Sequence, residues 1–463
     1  MRVTVAGAGI SGLALCHALQ EKFAESGKQA EIILCEAEDR VGGKIRTHRE
    51  GGYIMEWGPN GFLNNKPDTL ELCRKVGIAD KLLPSNEAAR KRFIYAGGSL
   101  HEIKPAEFVF GSILSWPAKF RLLGEYFVPQ RTGTSDETLA DFTRRRLGPM
   151  ALERLIGPMA SGVFGGDPEK MSLKACFPTI YNLEQTYGGL FKGMLGKKRE
   201  KKKEGGGKAG GPAGPGGVLT SFRGGLDVMT DALRADFKGT VVLGAAVRKV
   251  EKGSDGKGFI VHADGQQGTF ETDVFITAAP AYAASGFLSG VDTSISAVLD
   301  EISYVPMAVV SFGFDKPTLG RDLNGFGFLV GLKEGSRILG ALWDSSVFTG
   351  RAPEGKCSIR CMAGGGRDFV TPHLPDAGLT ETVYSELGKI MGIKSSPEVV
   401  KIFRHDKAIP MYSVGHTGRV ARLDSIEAKC PGLFFAGNAL RGVGLNDCVR
   451  DAYSVADKVL RLG

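Results

Sequence analysis

The sequence predicts an α/β fold in which the chain returns several times to a Rossmann-like domain, and three observations support this prediction. A strand-like run from residue 3 leads into glycines at 7, 9 and 12, a helical pattern and a second strand ending in Glu36. Strand-like apolar runs recur at residues 241–250 and 273–280. A strand, a glycine-rich turn and an amphipathic helix then close the chain from Leu433. We therefore expect these later segments to rejoin the first domain.

The first motif has the spacing of a dinucleotide pyrophosphate site. Gly7 permits a tight turn, Gly9 lets the backbone approach the phosphates, and Gly12 lets the helix pack closely on the strand. The first amides of the helix then face an anion, and Glu36 accepts hydrogen bonds from a ribose. The predicted nucleotide contacts in this unit are Gly7, Ala8, Gly9, Ile10, Ser11, Gly12, Glu36 and Ala37.

An arginine and a glycine pair follow the second strand, in residues 40–44 (RVGGK). Taken alone, this segment is better interpreted as a surface turn that contains two glycines. Beside the first motif it lies where the phosphates and ring of a flavin nucleotide extend beyond the adenosine. We therefore expect Arg40, Gly42, Gly43 and Lys44 to contact a flavin dinucleotide.

The C-terminal segment has a strand, a glycine-rich turn and a helix in residues 433–460. The N-terminus of this helix, at residues 443–446, is expected to face N1 and the C2 carbonyl of the flavin. Its dipole would then stabilise the anionic reduced ring. The predicted contacts from this turn and from the two returning strands are Val247, Ala278, Gly437, Asn438, Val443, Gly444 and Leu445.

Composition is that of a globular enzyme: 463 residues, 42% hydrophobic and 24% charged, enough for two or three domains. No apolar run approaches the roughly 18 to 20 residues that cross a bilayer. The first strand starts near residue 3, so no targeting segment is expected in this chain. Eight cysteines without a CxxC pair indicate reduced thiols, and the seven histidines lack paired-ligand spacing. We expect a reducing compartment and no metal.

The net charge of +8 is concentrated in one segment. Residues 192–208 hold eight Lys and Arg and two Glu, so the remainder of the chain is close to neutral and a nucleic-acid partner is not expected. Glycines and prolines follow as far as Gly217. Residues 193–217 are therefore predicted to form a flexible basic loop, either a solvated linker or a contact with an anionic membrane surface.

Seven motifs together resemble the protoporphyrinogen oxidase branch of the FAD-dependent amine oxidase superfamily, over essentially the full length. They are residues 7–12 (GAGISG), 40–43 (RVGG), 56–61 (EWGPNG), 92–98 (RFIYAGG), 161–166 (SGVFGG), 325–330 (GFGFLV) and 437–448 (GNALRGVGLNDC). Amine oxidases usually carry a glutamate where this chain has Asn438. The resemblance implies that Gly58, Pro59, Asn60 and Gly61 also contact FAD.

The resemblance also implies a tetrapyrrole site. Arg92 would pair with a propionate, the carbonyl of Gly162 would lie near the pyrrole N–H groups, and Leu329, Leu342 and Met362 would sandwich the macrocycle. Asn60 would border the substrate at a position that is arginine in some animal members, so no second propionate clamp is expected there. Met362 replaces an aromatic residue of plant members. Without the resemblance, core packing would be the better interpretation of Leu329, Leu342 and Met362.

The implied architecture is an FAD-binding Rossmann-like domain interleaved with a mixed-sheet substrate domain and a helical membrane-associating domain. The predicted FAD domain comprises residues 1–83, 218–283 and 401–463. The substrate domain comprises residues 84–100 and 284–400, and the helical domain residues 101–192. By analogy with the family, we expect a cytoplasmic homodimer that is peripheral to the membrane.

The implied activity is oxidation of protoporphyrinogen IX to protoporphyrin IX, in heme or chlorophyll biosynthesis, by three two-electron steps. A hydride would pass from a meso carbon to the flavin, so no side chain is assigned as a catalytic group. No second dinucleotide motif is evident for a nicotinamide, which leaves oxygen or a quinone as acceptor. Three alternatives remain: a coproporphyrinogen III oxidase, a flavin oxidase of amines or carotenoids, and a redox-inactive carrier like the GDP-dissociation inhibitors.

Overall fold

The computed structural model describes residues 1–133, 135–203, 217–254, 256–265 and 268–462. Its strands, numbered in chain order, are β1 (Arg2–Ala6), β2 (Glu31–Cys35), β3 (Thr47–Glu50), β4 (Tyr53–Glu56), β5 (Phe62–Leu63), β6 (Leu82–Pro84), β7 (Phe93–Ala96), β8 (Ser99–Glu102), β9 (Leu219–Phe222), β10 (Thr240–Val242), β11 (Val247–Lys252), β12 (Phe259–Ala263), β13 (Thr269–Thr272), β14 (Val274–Thr277), β15 (Tyr304–Asp315), β16 (Gly327–Val330), β17 (Ile338–Leu342), β18 (Lys356–Gly364), β19 (Val399–Pro410) and β20 (Leu433–Phe435).

The helices, numbered in the same way, are α1 (Ile10–Glu25), α2 (Pro67–Lys75), α3 (Pro105–Phe110), α4 (Trp116–Leu123), α5 (Leu139–Arg146), α6 (Pro149–Ala151), α7 (Gly157–Phe164), α8 (Leu173–Cys176), α9 (Pro178–Tyr187), α10 (Leu190–Lys203), α11 (Asp227–Asp236), α12 (Ala281–Leu288), α13 (Thr293–Asp300), α14 (Asp344–Val347), α15 (Asp376–Met391), α16 (His416–Lys429) and α17 (Leu445–Leu460). A π-helical turn, Leu152–Ile156, joins α6 to α7. The predicted α/β class is confirmed.

A parallel five-stranded sheet with the order β10-β2-β1-β14-β20 forms the first domain. Its strands come from three distant parts of the chain, as the sequence predicts. Apolar side chains of α1, α11 and α17 pack on one face, among them Leu13, Leu233 and Val449. The helices α12, α13 and α16 cover the other face. Both faces are buried, which explains the nearly continuous apolar character of β1, β2 and β14.

A seven-stranded mixed sheet with the order β19-β15-β18-β17-β16-β7-β8 forms the second domain. Helix α15 packs on one face, where Phe328, Ala341 and Cys361 are buried. The opposite face carries the alternate residues of the same strands, since side chains alternate along a strand. That second face is available to line a cleft.

A buried charge network holds together the helices between α4 and α10. Arg146 is fully buried, and its Nε donates to Glu125 at 2.6 Å while Nη1 donates to Glu184 at 2.8 Å. The Glu125 carboxylate also accepts from the amides of Leu190 and Phe191, at 2.8 and 3.0 Å. These partners compensate the desolvated charges and fix the start of α10.

Three of the predicted boundaries need correction. Residues 193–203 of the predicted basic loop are helical, because Lys, Arg and Glu are good helix formers and Tyr187 donates to Glu200 at 2.8 Å. Residues 204–216 of that loop lie outside the described residues.

The predicted boundary at 400 falls inside β19, which pairs with β15 and so belongs to the large sheet as far as Pro410. Helices α12 and α13, assigned to the substrate domain beyond residue 283, pack on the parallel sheet instead.

The run at 241–250, predicted as one strand, is also divided. Strand β10 joins the parallel sheet, whereas β11 joins a small antiparallel sheet with β12 and β13. The turn between them contains Gly244, whose φ of 63° lies in the left-handed region that favours glycine. Among the described residues, no helix combines the length and apolarity needed to cross a membrane.

Candidate active site

The carboxyl ends of the parallel strands bring the predicted nucleotide residues together. Gly7, Glu36, Ala278 and Gly437 follow β1, β2, β14 and β20 at the same edge of the sheet. A Cβ on Gly7 would lie 3.1 Å from the carbonyl carbon of Ala278, and one on Gly437 would lie 3.6 Å from the oxygen of Ala278. In open parallel sheets this edge is where ligands bind.

The turn between β1 and α1 depends on two close approaches. Gly7 has a φ of 102°, which L side chains rarely adopt. A Cβ on Gly12 would lie 1.9 Å from the carbonyl oxygen of Gly7, so the helix packs on the turn only without a side chain there. At Gly9 a Cβ would meet no described atom within 4 Å. The three predicted glycine roles correspond to this geometry: a tight turn, an open surface and a close helix contact.

The second glycine motif lies directly on the first. The amide of Gly42 donates to the oxygen of Ala8 at 2.8 Å, and a Cβ on Gly43 would lie 3.2 Å from the Cα of Gly9. Arg40 donates through Nη2 to the oxygen of Gly43 at 2.7 Å, while its buried Nε has no hydrogen-bond partner among the described residues. A guanidinium N–H without a partner beside open backbone suits a phosphate oxygen.

Glu36 lies at the end of β2 and is buried to 9% exposure. One carboxylate oxygen accepts the amide of Ala8 at 2.6 Å, and the other accepts the amide of Glu38 at 2.9 Å. Ala37 follows it, and Val247 packs against the end of the same strand. The carboxylate is fixed in orientation by backbone donors and retains lone pairs for a ribose hydroxyl.

The side chain of Lys44 contacts strands β15 and β19 of the large sheet. Its Nζ donates to the oxygen of Ala408 at 2.5 Å and lies 5.4 Å from the ring centre of Tyr304. Burial lowers the pKa of Lys44 to about 8. Its carbonyl oxygen would lie 2.7 Å from a Cβ on Gly58, so the segments 40–44 and 58–61 are adjacent.

The segment 58–61 is connected to the large sheet by buried polar contacts. Arg360 is 3% exposed and donates through Nη1 to the oxygen of Gly58 at 2.9 Å. Its Nε lies 3.3 Å from a carboxylate oxygen of Asp344, and the other oxygen of Asp344 accepts from the side-chain Nδ2 of Asn60 at 3.2 Å. The Oδ1 atom of Asn60 is buried without a hydrogen-bond partner among the described residues. It is therefore available to accept from a bound molecule. Pro59 and Gly61 flank Asn60.

The C-terminal turn, after β20, lies at the same edge of the parallel sheet as the glycine turns. Gly437 donates to the buried Asp451 at 3.1 Å, and Asn438 follows it. The turn continues through Val443 to Gly444, the N-cap residue of α17, and Leu445 is the first residue of that helix. No side chain of the described residues caps α17 or α1 by a hydrogen bond, so both N-termini are open to an anionic ligand.

Three of the predicted substrate residues share the second face of the large sheet. Leu329 pairs with Gly340 and Gly340 with Met362 across β16, β17 and β18, so the three stand in one row. Leu342 is two residues from Gly340 and points the same way. A Cβ on Gly162, in α7, would lie 2.2 Å from a methyl carbon of Leu329. The structure thus brings Gly162, Leu329, Leu342 and Met362 together.

Arg92 lies at the edge of this row. It directly precedes β7, whose Ile94 pairs with Leu329, and its side chain is exposed. The guanidinium lies 5.4 Å from the ring centre of Phe326. This arrangement places a cation at the solvent side of an apolar surface.

Four further residues of this region are absent from the sequence-based prediction. Asp344 and Arg360 hold Asn60 and Gly58, and Tyr412 and His416 contact the turn after β20. Their partners lie 24 or more residues away in sequence, so no local motif marks them. Among the described residues, no group of three or more His, Cys, Asp or Glu is arranged to hold a metal ion.

The geometry fits FAD. The open surface at Gly9 and the two uncapped helix N-termini suit the pyrophosphate and an electron-rich ring, the Nε of Arg40 suits a phosphate, and Glu36 suits the ribose. When bound there, FAD supplies a two-electron oxidant.

Comparisons with known proteins agree with this interpretation. The family model of flavin-containing amine oxidoreductases matches residues 10–460. Protoporphyrinogen oxidase 1 of Arabidopsis thaliana chloroplasts is 32% identical over 98% of this chain and 87% of its own. Coproporphyrinogen III oxidase of Bacillus subtilis is 30% identical over 96% of this chain and 95% of its own.

A solved structure of similar sequence has the same fold. A candidate protoporphyrinogen oxidase from Exiguobacterium sp. 255-15 superimposes with a TM-score of 0.83 at 26% identity, covering 99% of this chain and 98% of its own. A family match over nearly the whole chain, together with relatives of 30% identity or more over nearly its full length, shows the family. The chain belongs to the flavin-containing amine oxidoreductases and is an FAD-dependent oxidoreductase.

Proposed function

We propose that the chain oxidises protoporphyrinogen IX to protoporphyrin IX in heme or chlorophyll biosynthesis, with oxygen as acceptor. The observation that supports this most is the apolar surface formed by Leu329, Leu342 and Met362 on one face of the large sheet, which lies beside Gly162 and is bordered by Arg92. A flat, apolar macrocycle with acidic side chains at one edge matches such a surface. Relatives named protoporphyrinogen oxidase and coproporphyrinogen III oxidase, which match nearly the whole chain, support the proposal.

The roles of the side chains follow from their chemistry. The Arg92 guanidinium is suited to bind a propionate bidentately at the solvent edge. The aliphatic and thioether side chains pack on the macrocycle and exclude water, while the carbonyl of Gly162 accepts from pyrrole N–H groups. Bound FAD would supply the two-electron oxidation of each of the three rounds, and the residues of the apolar surface hold the macrocycle in position for it.

Coproporphyrinogen III is the second candidate substrate, and the Bacillus subtilis relative favours it. It carries four propionates where protoporphyrinogen carries two. Arg360, on the same sheet face, already contacts Asp344 and Gly58 and is 3% exposed, so it is not free for a further propionate. Asn60 is uncharged and so cannot form an ion pair with a propionate. These two positions favour the substrate with fewer propionates.

The experiment is porphyrin fluorescence during aerobic incubation of the purified holoenzyme with each porphyrinogen in parallel. We expect faster formation of protoporphyrin, with peroxide released in proportion. Faster formation of coproporphyrin would replace the first substrate by the second. Fluorescence that rises only at the rate of a protein-free control, for both compounds, would contradict porphyrinogen oxidation altogether.

A Gly162→Ala substitution is expected to impair the substrate site selectively. The new methyl group would lie 2.2 Å from Leu329, which must then move into the space above the sheet row. We expect the KM for porphyrinogen to rise about tenfold, since overpacking costs about 1 to 3 kcal/mol, while FAD content stays normal. Steady-state kinetics and flavin absorbance measure both.

The matched control is Gly378→Ala in α15, where a Cβ meets no described atom within 4 Å. That variant should keep the KM of the parent. A Gly162→Ala enzyme with the parent's KM would show that this glycine does not border the substrate.

We further propose that the surface around α3 and α4 contacts an anionic lipid bilayer. Phe110 and Phe127 are each 83% exposed, and Trp116, Phe120 and Leu123 are also largely exposed. Lys192 of α10 lies beside this surface, with its Nζ 5.2 Å from the ring centre of Tyr126. Apolar side chains that enter an interface next to cations are typical of peripheral membrane binding. The predicted homodimer and location remain proposals.

Replacing Phe110 and Phe127 together by serine is expected to reduce binding to vesicles rich in phosphatidylglycerol about tenfold or more, since each large apolar side chain contributes about 1.5 to 3 kcal/mol on burial. Cosedimentation measures it. Serine at Phe369 and Val370, which are exposed in the segment between β18 and α15, is the control. Equal cosedimentation of the two double variants would contradict the proposed surface.

A further inference from the structure

Two aromatic side chains hold the turn that leads into α17. The hydroxyl of Tyr412 donates to the carbonyl oxygen of Asn438 at 2.7 Å and accepts from the amide of Gly442 at 2.8 Å. Nε2 of His416 lies 2.9 Å from the carbonyl oxygen of Leu440. Alternate residues of the turn are thus bound by side chains of one separate segment.

The two rings also support each other. They stack with their centres 3.8 Å apart and an angle of 11° between the planes. Tyr412 is 5% exposed and His416 is 2% exposed, so neither ring has space to swing out without disrupting its surroundings. Because a carbonyl oxygen only accepts, Nε2 of His416 carries the hydrogen. Burial lowers the pKa of His416 to about 4, so the ring is neutral near pH 7.

The shape of this turn decides where α17 begins and which way it points. Gly437 and Gly442 have φ values of 108° and 131°, so the turn has little intrinsic preference for one conformation. A Cβ on Gly437 would lie 3.9 Å from Oγ of Ser11, which places the turn against the glycine motif of α1. External hydrogen bonds are therefore needed to fix the turn at the cofactor site.

We propose that Tyr412 and His416 are positioning residues for the flavin. They fix residues 437–444 and so direct the N-terminus of α17 at the ring, which rests on the proposed placement of the flavin against this turn. A dipole aimed at the ring stabilises its anionic reduced form, because the N-terminal amides carry partial positive charge. Loosening the turn should weaken FAD binding and lower the reduction potential of the bound flavin together.

The test is Tyr412→Phe in the holoenzyme, which keeps the ring stack and leaves the oxygen of Asn438 and the amide of Gly442 without their partner. We expect an FAD dissociation constant about tenfold higher, from the cost of two unpaired buried groups, and a lower reduction potential measured by equilibration with a redox dye. The matched control is Tyr384→Phe, which removes a hydroxyl bond to the carbonyl oxygen of Ser395 at 2.9 Å in another domain. Identical FAD affinity and potential in the two variants would overturn the proposal.

A second pair of variants, at His416, distinguishes a positioning role from a general loss of folding. His416→Gln retains an N–H donor for Leu440, whereas His416→Leu does not. We expect the potential of the glutamine variant to lie closer to the parent value than that of the leucine variant, and equal values in both would also overturn the proposal. None of these readouts uses a porphyrinogen, so a failure of the proposed substrate and a failure of this positioning role are distinguishable.

Discussion

Replacing Gly12 by valine is expected to give a colourless protein of reduced stability. A Cβ at this position would lie 1.9 Å from the oxygen and 3.1 Å from the carbonyl carbon of Gly7. Both are backbone atoms of a turn that is fixed by the bond from the Gly7 amide to Cys35 at 2.7 Å, so no side-chain rotation relieves the contact. Helix α1 must move off the turn, which costs about 1 to 3 kcal/mol or more. Flavin absorbance after gel filtration and a thermal unfolding curve measure the two effects.

Two companion variants separate packing from cofactor binding. Gly9→Ala adds a methyl group where no described atom lies within 4 Å, so the apoprotein should unfold like the parent while FAD binds more weakly. Gly286→Ala, in α12, also points into open space but lies away from the cofactor edge, and it should change neither property. A yellow Gly12→Val protein with the parent's unfolding temperature would refute the close approach of α1.

Removal of the Arg92 guanidinium is expected to weaken porphyrinogen binding strongly. A charge-assisted bond to a carboxylate contributes about 1.5 to 3 kcal/mol, so Arg92→Ala should raise the KM about tenfold to a hundredfold. FAD content should stay normal, because Arg92 precedes β7 in the large sheet and its guanidinium lies beside Phe326, whereas the glycine turns belong to the parallel sheet. Steady-state rates with protoporphyrinogen, together with the flavin-to-protein ratio, provide the measurement.

Arg90 offers the matched control. Its side chain lies two residues from Arg92, is 76% exposed and forms a surface ion pair with Glu87, so Arg90→Ala removes the same charge without altering the apolar surface. Arg92→Lys should recover part of the lost affinity, since it restores the charge but not the planar pair of donors. If the alanine variants at 90 and 92 had equal KM values, the propionate assignment to Arg92 would fail.

The parts of the fold that sequence predicts well are those with local rules. The unit β1-α1-β2 follows from glycine spacing and apolar periodicity, and each glycine has the environment expected of it. The break at Gly244 was missed because the apolar run on both sides looks continuous. The helical start of the basic segment was missed because charge and glycine content suggested a loop, whereas the contact of Tyr187 with Glu200 depends on the tertiary fold.

In the candidate site, too, the residues in local motifs are predictable from the sequence, whereas those brought together by the tertiary fold are not. Residues of short motifs, such as Arg40, Gly43 and Gly437, come together because parallel strands end at one edge. The row of Leu329, Gly340 and Met362 depends on the register of three strands, and the sequence predicts Leu329 and Met362 only through the family resemblance. The Asp344–Arg360 and Tyr412–His416 pairs depend on burial and ring geometry, for which a single sequence carries no pattern.

The most direct test of the account is anaerobic mixing of the yellow holoenzyme with protoporphyrinogen, followed by visible absorbance. Because the proposal has the bound flavin as the immediate oxidant, we predict that its absorbance bleaches at least as fast as turnover and returns when oxygen is admitted, with porphyrin formed in the mixture. Flavin that stays oxidised in the presence of both protoporphyrinogen and coproporphyrinogen would contradict the assignment of a porphyrinogen as the substrate of this enzyme.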